Sequence, residues 1–481
     1  MQPLRSSQRL AQRMLSCSQG RISAYRSQYR QYTQLSNSPL DNPAAKASAI
    51  EGAASDTPSA QETSPSNGAT HKVMTIRRPL GARKAYYMLT GGVRIGTRLF
   101  EPVLLRDACT CSMCVDPSST QKNFQTTDIP PNIDIKSQKT LSNGDVRIKW
   151  KNDLPGFGAD HVSVFSGEFL HPSSDYTSVD IPKPLLKARA WNAEMIKEDI
   201  HFLNYEDYMA SDETFNRALS ELVKNGILIV QGVPNSEQSV EDVAGRFGNI
   251  RDTFYGKTWD VRSVPDATNV AYTSRYLGLH MDLLYMANPP GFQLLHCLKN
   301  SAQGGSSLFA DALFAARGLS PEDIHTLSQA TIAYQYKNAG EHYYYQHPVI
   351  ESAKRSTFGL PSILNINYSP PFQAPYLKHS AQAVSLLKRN SALRNFAERV
   401  ENPANVFEYK MQEGDCVIFN NRRLLHGRTA FSAVGGERWL KGTYVDSDVV
   451  ESRVRVFRER FGTEKLQRDE RDKSEEVSST A

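Results

Sequence analysis

The feature that most constrains the fold is a succession of short apolar runs in the second half of the chain. GFQLLHCL, SSLFADA, TIAYQY, ILNINY, VFEYKM, DCVIFNN and WLKGTYVD read as strands, and turn-forming residues separate them. One longer helical stretch lies around residues 381–400. Many short strands with few covering helices hide their edges best by closing into a β-barrel or jelly roll. Upstream, FNRALSELVKNG (215–226) has helical spacing and SVEDVAGRFG repeats it. Between them ILIVQGV is continuously apolar, as a strand buried on both faces must be. These elements open a larger domain, placed at residues 190–463.

The rest of the chain divides by composition. Residues 79–185 hold strand-like stretches such as VRIKW (146–150) and HVSVF (161–165) between Gly, Pro and Asn, which predicts a small β-rich domain. Residues 1–40 carry Arg5, Arg9, Arg13, Arg21, Arg26 and Arg30, and the first acidic residue is Asp41. On a helix Arg5, Arg9 and Arg13 share a face, with Leu4, Leu10, Met14 and Leu15 available for an apolar side. This is the composition of a mitochondrial transit peptide, so a matrix location is expected. Residues 41–78 are rich in Ala, Ser, Thr and Pro and lack aromatic residues, which predicts a linker. Residues 464–481 read as a solvated charged tail. The net charge of +5 reflects the arginines at the start, and no basic stripe interleaves with aromatics, so a nucleic-acid partner is not expected. No run approaches the roughly 20 apolar residues that span a bilayer, so no membrane helix is expected either.

Six cysteines in 481 residues, three of them between Cys109 and Cys114, do not form a secreted disulfide pattern. Their clustering points to metal. Tetrahedral zinc accepts Cys109, Cys111 and Cys114 with one imidazole, from His161 or from His171. Four protein ligands leave no place for water, so such a site is structural and staples a small core.

A second metal signature lies further on. Non-haem iron oxygenases use two imidazoles and a carboxylate on one face of an octahedron. His280 and Asp282 are two residues apart and point the same way in an extended segment. In a chain of 11 histidines this pair alone carries little; His426, followed by Gly427 after a strand-like run, supplies a third ligand. The cosubstrate 2-oxoglutarate chelates iron through its 2-oxo acid end and leaves a carboxylate for a guanidinium. Arg438, 12 residues past His426, is placed for that, with Arg428 as the competitor. Tyr255, Trp259, Tyr272 and Tyr444 are aromatic faces that together suit a quaternary ammonium.

LGLHMDLLYMANPPGFQLLHCLKNSAQGGSSLFADA, NNRRLLHGRTAF and the later Arg438 resemble the TauD/TfdA-like 2-oxoglutarate dioxygenases, and among them the γ-butyrobetaine hydroxylase group. The resemblance covers about residues 85–460. It implies a mostly β fold with flanking helices: a double-stranded β-helix (jelly-roll) catalytic domain behind a zinc-stapled amino-terminal domain. By position it implies His280, Asp282 and His426 as iron ligands, Arg438 on the distal carboxylate of 2-oxoglutarate, and Ser307 in the GGSS turn near that cosubstrate. It also implies a trimethylammonium cage of Tyr255, Trp259, Tyr272 and Tyr444 with Asn269 beside it. LLRDACTCSMC and DHVSVFSGEFL are similar to the group's zinc domain, which places the fourth zinc ligand at His161. The implied reaction is hydroxylation of γ-butyrobetaine to L-carnitine with Fe(II), 2-oxoglutarate, O2 and ascorbate as reductant, in a homodimer. Two segments depart from the group: HMDLLY is apolar where members vary, and NINYSPPF carries Ser-Pro-Pro where a related segment is polar. These keep open trimethyllysine or another trimethylammonium substrate, and, from another class, a catalytically silent, zinc-stapled quaternary-ammonium binder.

Overall fold

The computed structural model describes residues 93–95, 98–158, 160–170, 188–262, 273–352, 363–376, 385–432 and 436–461. The expected transit peptide, linker and charged tail lie outside these residues, as do His171, Asn269 and Tyr272.

The amino-terminal part contains a hairpin of β1 (Val93–Ile95) and β2 (Arg98–Phe100) and an antiparallel sheet ordered β3 (Ile135–Thr140), β4 (Val146–Trp150), β5 (Val162–Phe165). VRIKW shows why β4 forms. Val146, Ile148 and Trp150 enter a core with Leu105, Leu154 and Phe165, while Arg147 and Lys149 face water. Among the described residues, ten buried apolar side chains make up this core, few enough that a staple matters.

The larger part is a jelly roll, as expected. One sheet runs β6 (Phe202–Asn204), β7 (Ile227–Gln231), β17 (Cys416–Asn420), β10 (Phe292–Asn300), β19 (Arg438–Val445), β8 (Thr258–Arg262). The facing sheet runs β16 (Val406–Tyr409), β11 (Ser307–Asp311), β18 (Leu424–Arg428), β9 (Leu277–His280). Ile227 and Ile229 join the core that holds Phe309, Phe407 and Phe419, whereas Leu228 and Val230 pack under Phe215, Leu219 and Phe247. Both faces of β7 are therefore buried, which explains its unbroken apolar run. The covering helix Asp212–Lys224 starts where the Ser211 hydroxyl accepts from the Thr214 N–H and acidic side chains fill the first turn.

Two hairpins complete the domain: β12 (Thr331–Asn338) with β13 (Glu341–Pro348), and β14 (Ile350–Ser352) with β15 (Ile363–Ile366). The sequence reading omitted β13 because EHYYYQHP is mostly exposed and shows no alternation. Its partner is set by the two-residue loop Ala339-Gly340, where both residues have positive φ, as a primed turn requires. It also omitted the helix Ser447–Phe461, whose buried Val450, Val454 and Phe457 are diluted by charged residues. The long helix expected around 381–400 spans Leu386–Val400. No helix among the described residues is long and apolar enough to cross a membrane.

A buried ion pair ties the sheet ends together. Arg423 bonds Asp311 through Nε (3.1 Å) and Nη2 (2.7 Å), and donates to the carbonyls of Lys224 and Arg189. Replacing Arg423 by Met strands the Asp311 charge and is expected to destabilise the fold by about 3–5 kcal/mol. Urea denaturation measures this, and a near-native midpoint would contradict it.

Candidate metal centres and cosubstrate cavity

β9 ends at His280, and β18 pairs with it so that His426 stands directly opposite. Antiparallel neighbours bring side chains together, and the two imidazole centroids are 4.3 Å apart. Met281 is buried in the adjoining core, which leaves Asp282 on the side of His280. His280 Nε2 lies 3.3 Å from Asp282 Oδ1, and His426 Nε2 lies 3.8 Å from Oδ2. Neighbouring positions of an octahedral ion with ~2.1 Å bonds are about 3 Å apart, so the donors need close only slightly. The three side chains fit one metal ion. Nδ1 of His280 faces the Gly278 carbonyl at 2.8 Å; donating there leaves Nε2 as the free ligand atom. Burial, then the neighbouring His280, pushes the His426 pKa down to about 3. Burial alone would raise the Asp282 pKa, but His426, His280 and Tyr444 outweigh it and hold the carboxyl well below its usual range. Neutral imidazoles and an ionised carboxylate are the states a metal requires.

Asp282 is fixed from three sides. Its N–H donates to Asn421 Oδ1 (2.8 Å), and Asn421 Nδ2 returns a bond to its carbonyl (3.1 Å). The next residue, Leu283, has φ +61°, a left-handed conformation that a leucine adopts only when its surroundings impose it. The Tyr444 hydroxyl donates to Oδ2 of Asp282 at 2.7 Å, and its ring stacks on Trp259 at 4.0 Å. Trp259 lies over Gly442, where a Cβ would come within 2.6 Å of the indole.

Beside the triad a cavity of about 60 Å³ is lined by Ser307, Arg438, Arg428, Gln293 and Trp259. Arg438 is buried and donates through Nε to the Gly305 carbonyl at 3.1 Å; neither Nη has a hydrogen-bond partner among the described residues. Gly305 has φ +70°, and a Cβ there would meet Arg438 Cδ at 2.9 Å, so both the turn and the packing require glycine. Arg428 instead donates Nη2 to the carbonyls of Thr273 (2.6 Å) and Arg275 (2.8 Å). Burial, then the like charge of Arg428, lowers the Arg438 pKa to about 10, which leaves it cationic at neutral pH. A guanidinium with an open fork beside a metal triad is suited to a chelating dicarboxylate.

Cys109, Cys111 and Cys114 Sγ lie 3.7, 3.4 and 3.3 Å from His161 Nε2. A zinc tetrahedron with Zn–S ~2.3 Å and Zn–N ~2.05 Å sets that separation at about 3.6 Å. This donor set fits zinc, and Asp153 Oδ2 holds the far nitrogen of His161 at 2.5 Å. Of the expected cage, Tyr255 lies in an aromatic cluster with Phe254, Tyr285 and Tyr336, its hydroxyl 3.3 Å from that of Tyr285. Asn421, Asp153 and Tyr285 were missed from sequence; only the doubled asparagine before RRLLH and the Tyr three residues past Asp282 hinted at them.

Residues 184–444 match the family model described as taurine catabolism dioxygenase TauD, TfdA family. The chain belongs to this family. Residues 96–170 match the gamma-butyrobetaine hydroxylase-like N-terminal model, which agrees with the resemblance seen in the sequence. The chain is 40% identical to "Dioxygenase str8" of Strobilurus tenacellus, over 74% of this chain and 84% of that protein. It is 30% identical to human gamma-butyrobetaine dioxygenase (75% and 92%) and 25% identical to human mitochondrial trimethyllysine dioxygenase (74% and 82%). This TauD/TfdA protein is an Fe(II)- and 2-oxoglutarate-dependent dioxygenase, which closes the silent-binder alternative.

The Tyr444–Asp282 bond can be tested directly. Removing a hydrogen bond to a metal-binding carboxylate commonly weakens metal affinity by about 10–100-fold. Tyr444→Phe is expected to raise the iron concentration for half-maximal succinate release by that factor, with the ring stack retained. An unchanged iron requirement would show that the phenol does not hold the ligand.

Proposed function

We propose that this dioxygenase hydroxylates γ-butyrobetaine to L-carnitine. The observation that carries the reading is the pairing, at one site, of the His280–Asp282–His426 triad with a ring stack, Trp259–Tyr444, bonded to the triad's carboxylate. In this reading the triad holds iron(II), and Arg438 with Ser307 holds the far end of 2-oxoglutarate. Tyr255, Trp259, Tyr272 and Tyr444, with Asn269, take the trimethylammonium end by cation–π attraction. Bound iron, with 2-oxoglutarate and O2, supplies the oxidant, and ascorbate keeps the metal reduced. The chain's own residues exclude water, ionise Asp282 and anchor the cation so that a fixed carbon faces the metal. Cys109, Cys111, Cys114 and His161 hold zinc as a staple.

A second reading keeps the chemistry and changes the substrate to trimethyllysine or another trimethylammonium acid. It rests on the departure at Ser369-Pro370-Pro371: the prolines offer no N–H, and the buried Ser369 hydroxyl, with no hydrogen-bond partner among the described residues, is the donor this segment has for a substrate.

Full-length protein supplied with iron, ascorbate, 2-oxoglutarate and a panel of trimethylammonium acids decides between them. Carnitine in equal amount to succinate is expected with γ-butyrobetaine. Coupled turnover with trimethyllysine alone would move the substrate, and uncoupled succinate with every member would reject the trimethylammonium reading.

The same reading places the enzyme in the mitochondrial matrix through residues 1–40. A fluorescent reporter carrying these residues is expected to enter mitochondria and to lose that destination when Arg5, Arg9 and Arg13 become Glu. A reporter that stays in the cytosol would refute it.

A further inference from the structure

A buried arginine stands against the thiol cluster, and nothing at the iron site uses it. Arg106, fully buried in the helix Pro102–Asp107, donates Nη1 to Cys114 Sγ at 3.3 Å and Nε to Asp153 Oδ1 at 2.5 Å. The other oxygen of Asp153 meets His161 Nδ1 at 2.5 Å. One guanidinium thus reaches a thiol directly and the imidazole through a carboxylate. The guanidinium lies near the Phe124 and Phe157 rings, with centroids 5.0 and 4.8 Å away, and Phe157 also meets the His161 ring edge-on at 5.1 Å.

Charge explains the arrangement. Zinc with three thiolates and a neutral imidazole carries one net negative charge, and Asp153 adds a second. Buried anions are costly unless matched, and a buried guanidinium has the same need. Arg106 lowers the local excess to a single charge, and its donor bond places part of its charge on one thiolate sulfur.

We propose that Arg106 is a positioning residue of the zinc site. It offsets one negative charge of the cluster through Cys114 and, through Asp153, keeps His161 Nε2 turned to the metal. The proposal rests on the zinc reading above. Its rival is that Arg106 only fills a small core between two phenylalanines.

The test follows zinc rather than turnover. Full-length protein, Arg106→Met, Arg106→Lys and Phe124→Leu are compared for bound zinc and for the rate of zinc transfer to a chromogenic chelator. Loss of such supporting partners commonly weakens metal binding by about 10–100-fold. Arg106→Met is expected to release zinc faster by that factor, Arg106→Lys to recover part of the loss, and Phe124→Leu to stay near wild type. Wild-type release from Arg106→Met overturns the proposal. So does equal acceleration by Phe124→Leu, which would assign the effect to packing. Should Arg106→Met not fold, Lys and Leu variants that release zinc equally fast overturn it by the same reasoning. Wild-type protein without zinc would fail the zinc reading itself, a distinct result.

Discussion

The pairing of β9 with β18 is the constraint on which the catalytic half depends. It sets His426 opposite His280 although 146 positions separate them in the chain. Side chains alternate along a strand, so a slip of one residue would turn His426 away and set a leucine or glycine opposite His280. The register is held by burial on both sides: Phe419 packs on the His426 ring at 5.0 Å, and β11 pairs with β18 so that Ser307 lies opposite Arg428. One set of backbone bonds therefore places the ligands and the wall of the adjoining cavity together. The Asp311–Arg423 pair lies at the far end of the same β11–β18 ladder, where Asp311 faces Leu424, and resists sliding there.

The sequence showed the elements whose environment is uniform. VRIKW alternates because one face is wet, and ILIV does not because both faces are covered. β13 escaped because half-exposed tyrosines and histidines carry no period, and its place is dictated by a turn with positive φ at an alanine. At the site, the candidate ligand residues and their spacing stood out in the sequence, and position put Arg438 ahead of Arg428, but the physical difference between the two arginines did not show. Arg428 and Arg438 look alike in sequence. They differ in that two backbone carbonyls occupy Arg428, from a segment whose approach no local pattern announces. Likewise Asn421 reads as a turn asparagine, and only the fold shows it bonding both backbone groups of Asp282.

Tyr444 shows how one residue serves two demands. Its phenol tip bonds the Asp282 carboxylate, and its ring stacks on Trp259. Tyrosine suits this because the apolar ring and the polar tip act independently. A cation held near the ring, as proposed above, would also feel the Asp282 carboxylate behind it. Phenylalanine would keep the ring stack and lose the bond to Asp282.

The fixing of Asp282 has an energetic consequence. A carboxylate on a free side chain loses rotamer freedom when it binds metal, and a mobile one can swing to chelate through both oxygens. Here the Tyr444 hydroxyl occupies Oδ2, the Asn421 amide holds the backbone, and the left-handed Leu283 sets the direction of the turn. Strain at Leu283 is tolerable because the neighbouring bonds over-determine the conformation. Partners that fix a carboxylate in this way reduce the entropy lost when such a group takes up a metal ion. The same economy recurs at the thiol cluster, where Asp153 and Arg106 set the imidazole and one sulfur in place. In both centres the decisive residues are therefore partners of the ligands, and they lie where spacing rules have nothing to read.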